Sequence, residues 1–363
     1  MAKSHVTAAD IALHLGLGKS TVAHVLNGRA ERLRIRPETR RRVEEAAREM
    51  GYRPNVSARA MRTGRFGAAA LIQPLSGVYL PVELLIGLAD ALRAHDMHLS
   101  VAEAPNEVLH DEGYLPKVVR ELAADGLLIN MIADASTAFI KAVEAHHIPS
   151  IWINSEREAD CVHPDDFTGG RIATEHLLGL GHRRIAFVQE GPPRQIPFVQ
   201  EEAPAESGGQ HYSVRDRRHG YEQAMHAAGL TPQAVALSGR PWSYDETLDD
   251  RRIPDAVAFL SGPERPTAIV AYESSPALPL LYAALSLGLR VSEDLSLVMF
   301  HGGLEQNVGI PITTVDTNIS RVGREAVRML LQKIAHPDEP LPRTAVPPRF
   351  FAGTTCGPPP PRP

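Results

Sequence analysis

Apolar positions divide the chain into two regions of different periodicity. Over the first fifty residues they recur at helical spacing. Ile11, Ala12 and Leu15 share one face, Val22, Val25 and Leu26 a second, and Val43, Ala46, Ala47 and Met50 a third. From Phe66 onward, short apolar runs alternate with longer helical stretches. The runs are 69–72, 126–130, 150–153, 184–188, 268–271 and 295–300; the helical stretches include 81–94, 169–180, 217–228, 278–287 and 319–334. Such alternation predicts parallel sheets of βαβ units. The length suffices for two doubly wound subdomains, whose ligands bind beyond the carboxyl ends of the strands.

Local signals sharpen the N-terminal region. Thr7-Ala8-Ala9-Asp10 is a capping box, and the helix it opens stops at Gly16. A second short helix starts near Lys19, and a third opens with Pro37 and ends at Gly51. Two short helices joined by a tight turn and braced by a third predict a helix-turn-helix unit. Its second helix enters the major groove, N-terminal residues first. That helix turns Ser20, His24 and Asn27 outward, with Lys19 in its first turn.

Charge supports a polyanionic partner at this end only. The net charge of −5 conceals +8 over residues 1–65 and −13 over the remainder. Gly18-Lys19-Ser20 could close a phosphate-binding loop, but that loop needs a glycine where Leu13 stands and a preceding strand where the pattern is helical. No nucleophile elbow, zinc motif or dinucleotide fingerprint is present, so the pattern points away from an enzyme and from any cofactor. His176 and His182 flank a helix end without a third ligand nearby and are expected to be structural. Two cysteines, Cys161 and Cys356, fit a reducing cytoplasm. No apolar stretch approaches the roughly 20 residues of a membrane span.

Val6–Ala12, Gly16–Gly28, Thr39-Arg40, Gly51–Asn55 and Ala58–Arg65 resemble the headpiece and hinge of the lactose-repressor (LacI) family. The resemblance continues through Gly169–Arg171, Glu175–Phe187, Arg217–Tyr221, Gly288–Asp294 and Thr313–Val315. It implies an α/β protein: an all-α helix-turn-helix headpiece plus a two-subdomain core resembling type I periplasmic binding proteins. The expected divisions are a headpiece at 1–53, a hinge at 54–65 and a core at 66–350. Within the core, one subdomain spans about 66–163 and 318–343, the other about 164–317 and 344–356. A Pro-rich tail at 357–363 is expected to be disordered.

By this resemblance Lys19, Ser20 and His24 read bases, while Thr21 and Asn27 support the helix and contact phosphate. Arg29 lies in a basic loop suited to phosphate. Asn55, Arg59 and Met61 belong to the hinge, with Met61 as an apolar wedge in the minor groove. Gly18 and Arg36 stand where the family has capping serines. The expected partners are double-stranded operator DNA of pseudo-palindromic sequence, a second copy of the chain, and a small-molecule effector. Candidate effector residues are Tyr79, Arg217, Trp242, Glu273 and His301. Glu273 and His301 depart from the family's usual residues. Loss of the usual acid at His301, beside the fixed cation of Arg217, favours an acidic or modified sugar, or another small polar metabolite, over a neutral hexose. A solute receptor would share the core but lack the headpiece.

Overall fold

Capping chemistry sets the first helix. In α1 (Ala8–Leu15) the Thr7 hydroxyl accepts from the Asp10 amide, and Asp10 Oδ2 accepts from the Thr7 amide at 2.9 Å. Gly16 closes α1 with φ 65°, a left-handed conformation that costs glycine little. Neither α2 (Lys19–Leu26) nor α3 (Pro37–Glu49) has a side-chain cap, because Gly18 and Arg36 occupy the capping positions. Burial compensates: Ile11, Val22, Val25, Val43 and Ala46 close a small core between the three helices. Ala30 reaches into the same core from the basic loop, and Arg40 bonds Glu31 at 3.0 Å and Glu44 at 2.8 Å.

This computed structural model describes residues 6–53, 60, 64–73, 82–103, 117, 121, 124–130, 137–191, 211–238, 252–301 and 309–361. The chain divides into two units, Met1–Phe66 and Gly67–Pro363. The second begins with β1 (Ala68–Gln73), α4 (Val82–Arg93), β2 (His98–Glu103), β3 (Gly126–Asn130), α5 (Thr137–Ala145), β4 (Ser150–Ile153) and β5 (Cys161–Pro164). It continues with α6 (Asp166–Gly179), β6 (Ile185–Glu190), α7 (Tyr212–Ala227), β7 (Gln233–Leu237), α8 (Arg252–Ser261), β8 (Ala268–Ala271), α9 (Ser274–Ser286) and β9 (Ser296–His301). β10 (Thr313–Asp316), α10 (Ile319–Ala335), β11 (Thr344–Val346) and β12 (Arg349–Phe351) complete it.

Among the described residues, the strands form two sheets. The first is ordered β11-β5-β4-β3-β1-β2 and is wholly parallel. The second is ordered β12-β10-β9-β8-β6-β7, with only β12 antiparallel. Helices α4 and α10 cover one face of the first sheet and α5 the other; α6 and α7 cover one face of the second, α8 and α9 the other. Strands buried on both faces explain the continuous apolar runs in the sequence. Strand order reverses at β1/β3 and again at β6/β8, so each sheet has a switch point at its carboxyl edge.

Two expectations about the C-terminal region need correction. Thr344–Val346 pairs in parallel with β5, so this segment belongs to the first sheet; the chain returns to the second only at β12. The described residues after β12 are stitched to the second sheet as far as Gly357, the first residue of the tail expected to be disordered: Thr355 Oγ1 donates to Leu297 O at 2.7 Å, and the Gly357 amide donates to Ser296 Oγ at 3.0 Å. His182, buried, lies 2.9 Å from Gly357 O and 2.9 Å from Thr267 Oγ1. A carbonyl oxygen only accepts, so Nε2 carries a proton and donates to Gly357, while Nδ1 faces the Thr267 hydroxyl. Burial lowers the His182 pKa below its ordinary 6.5. A depressed folded-state value means stability that is present above 6.5 and lost as pH falls through the lower, folded value. Melting temperature is therefore expected to decline as pH falls below the ordinary imidazole range, and His182→Gln should flatten that decline in a pH series of thermal melts.

Candidate functional site

In the headpiece, α2 buries Val22 and Val25 and leaves Lys19, Ser20 and Asn27 exposed, with Thr21 and His24 half-buried. The spacing of Ser20, His24 and Asn27 puts them on one face. Asn27 caps the helix by donating from Nδ2 to Ala23 O, and Arg29 is exposed just beyond it. The arrangement offers a short polar helix face flanked by cations, the form that fits a major groove. Asn55, Arg59 and Met61 lie outside the described residues.

In the second unit, polar side chains gather where the strands end. Gln73 closes β1, Asn130 closes β3, and Asn154 follows β4, donating to Asn130 Oδ1 at 2.9 Å. Gln189 lies at the end of β6, Tyr272 and Glu273 follow β8, and His301 ends β9. Tyr79 and Trp242 are outside the described residues.

Arg217 is the centre of the second sheet's share. It is buried; its Nε donates to Asp166 Oδ1 at 2.7 Å and its Nη1 to Tyr272 O at 2.6 Å. Its guanidinium stacks 4.6 Å from the Tyr272 ring centre and 4.4 Å from that of Phe300. Burial opposes its charge, but Asp166 more than offsets this and the pKa is raised. Asp166 shows the opposite balance: burial raises its pKa while the guanidinium counteracts. Glu273 adds a second negative field on Arg217 from the N-cap of α9. Arg217 thus has a buried carboxylate partner, Asp166, that the sequence reading did not include.

The same helix ties the carboxyl edges of the two sheets. His211, capping α7, lies 3.2 Å from Asn154 O through Nε2. Arg215 donates to Glu156 at 2.6 Å, which also accepts from Arg343 at 3.2 Å. Asp166, Tyr272 and Phe300 were missed in the sequence. The available signal was the pair Asp165-Asp166 immediately after β5 and before the glycines of α6.

Residues 7–55 match the family described as bacterial regulatory proteins, lacI family, and residues 174–356 match the periplasmic binding protein-like domain. The chain belongs to the LacI family. It is a DNA-binding transcription regulator, not an enzyme, with the headpiece and paired parallel-sheet core of that family. The transcriptional regulator CelR of Thermobifida fusca is 27% identical over 345 residues, covering 89% of this chain and 90% of CelR. The structure of the Lac repressor dimer bound to operator and the anti-inducer ONPF shares the fold at TM-score 0.73 and 21% identity, covering 97% of this chain and 99% of that one. A CelR–cellobiose complex matches at TM-score 0.61 and 22% identity, covering 97% and 100%. Among the described residues, no helix is long and apolar enough to cross a membrane.

Proposed function

We propose that this LacI-family regulator is a cytoplasmic repressor that binds a pseudo-palindromic operator as a homodimer and is controlled by a small carbohydrate-like metabolite. The observation that carries the DNA half is the α2 face of Ser20, His24 and Asn27, standing over a core closed by Val22 and Val25. Lys19, Ser20 and His24 read base edges; Thr21, Asn27 and Arg29 meet phosphate. The dimer is supported by α9, which exposes Leu278, Tyr282 and Leu285 at helical spacing, and by the operator-bound dimer among its structural relatives. The effector half rests on the polar strand ends around Arg217 and on the sugar carried by CelR.

Coupling follows from α7. Arg217 faces the ligand region, while His211 and Arg215 of the same helix hold Asn154 and Glu156 on the first sheet. A ligand that favours one arrangement of the sheets changes DNA affinity, and DNA changes ligand affinity by the same factor. Footprinting is expected to show two protected half-sites related by two-fold symmetry, with affinity falling steeply with salt. Tyr282→Asp should yield a monomer by sedimentation that footprints poorly. A one-sided footprint from wild type, or affinity that ignores salt, would overturn this function.

A further inference from the structure

We propose that Asp166, Tyr212 and Gln189 form a hydroxyl-binding subsite beside Arg217 that takes an uncharged, polyhydroxylated part of the effector. This rests on the effector reading above and gives it a specific chemistry.

Among the described residues, three buried polar atoms on this side of the second sheet have no partner. Asp166 gives Oδ1 to Arg217 and leaves Oδ2 unsatisfied. The Tyr212 hydroxyl, in the first turn of α7, is buried and unsatisfied, as is Gln189 Oε1. A buried acceptor or donor without a partner is costly, so three around one site call for a ligand. Their positions agree. Val188 and Ala271 are register partners, as are Ala271 and Met299, so Gln189, Tyr272 and Phe300 form the next row. Alternation along the strands turns that row toward α6 and α7, the face of Phe187 and Val298. Arg217 stacks on two members of the row, and Gln189 is the third. Gln189 and Tyr272 flank the β6/β8 switch point, where ligands of this fold bind. Tyr212 packs edge-on against His163 at 5.8 Å and tilted on His211 at 4.3 Å, which fixes its ring.

The chemistry is selective. Burial raises the Tyr212 pKa, so the phenol keeps its proton and donates. Asp166 Oδ2 and Gln189 Oε1 only accept. The site therefore asks for two donors and one acceptor. Sugar hydroxyls supply both roles. A carboxylate supplies acceptors alone and would meet Asp166 with like charge.

The test is calorimetry of cellobiose, glucose, ribose, glucuronate and galacturonate against the full-length wild type, Tyr212→Phe and Asp166→Asn. At least one neutral sugar is expected to bind wild type and no uronate to bind better. Tyr212→Phe, which removes a single oxygen, should weaken the neutral ligand about threefold to tenfold with circular dichroism unchanged. Asp166→Asn should weaken it about tenfold or more and shift the neutral-to-uronate ratio toward the acid. The proposal is overturned if no neutral sugar binds, if both variants bind it as wild type does (the atoms then hold only water), or if Asp166→Asn weakens sugars and uronates alike. An intact two-fold operator footprint in the same preparations separates any of these failures from failure of the regulator function.

Discussion

Gly170→Ala is expected to destabilise the core severely and to unseat Arg217. Helices α6 and α7 cross at two glycines. A methyl group on Gly170 would fall well inside contact distance of the Arg217 carbonyl oxygen, and one on Gly220 would meet that of Phe167. The obstacle is backbone, so no rotamer change relieves it; the helices must separate. Overpacking typically costs about 1–3 kcal/mol and occasionally more, and this site belongs at the upper end. The atom displaced is part of Arg217 itself, so its bond to Asp166 and its stacking on Tyr272 and Phe300 should loosen together. Gly179→Ala, in the same helix, is the control. Nothing lies within 4 Å of its added methyl, and alanine favours helix by up to about 1 kcal/mol. Denaturant melts of the two variants should move in opposite directions. Equal stability would show that the crossing is not as close as described. The first sheet repeats the arrangement in Gly87, whose added methyl would meet the Ser320 carbonyl where α4 crosses α10.

The second large effect concerns DNA. Lys19→Ala or His24→Ala is expected to lose about 1–3 kcal/mol of operator affinity, roughly fivefold to 150-fold, and to relax preference at particular base pairs. Neither change should unfold the headpiece, since Val22 and Val25 carry the burial of α2 and alanine is a good helix former. Arg29→Ala should instead weaken all sequences alike and lower the salt slope by about one. Selection from randomised operators separates the two. An unchanged base preference in the His24 variant would remove it from the readout.

The sequence alone determined the headpiece, because its information is local. The capping box at Thr7 and Asp10, the stop at Gly16, the proline at the start of α3 and the 3.6-residue apolar period each act within a few residues. The central strands were equally legible, as β3, β4 and β8 are uninterrupted apolar runs. The edge strands β2 and β7 were not. β7 is half-exposed along most of its length, so it carries no continuous run, and its conformation comes from pairing with β6.

Tertiary structure decided the site and the course of the C-terminus. Sequence periodicity placed the starts of α6 and α7 too late, at Gly169 and Arg217 rather than Asp166 and Tyr212. Those first turns carry polar residues aimed at neighbouring elements instead of an apolar stripe, so they show no period to read. Asp166 and Arg217 are 51 positions apart, and only the close crossing of α6 and α7 brings them together. The charge of Arg217 was therefore visible in the sequence and its neutralisation was not. The same holds for His182 and Gly357, which lie 175 positions apart. Local patterns encode where helices and strands form; which charge is cancelled, and which polar atom is left for a ligand, depends on contacts that exist only once the sheets and helices have packed.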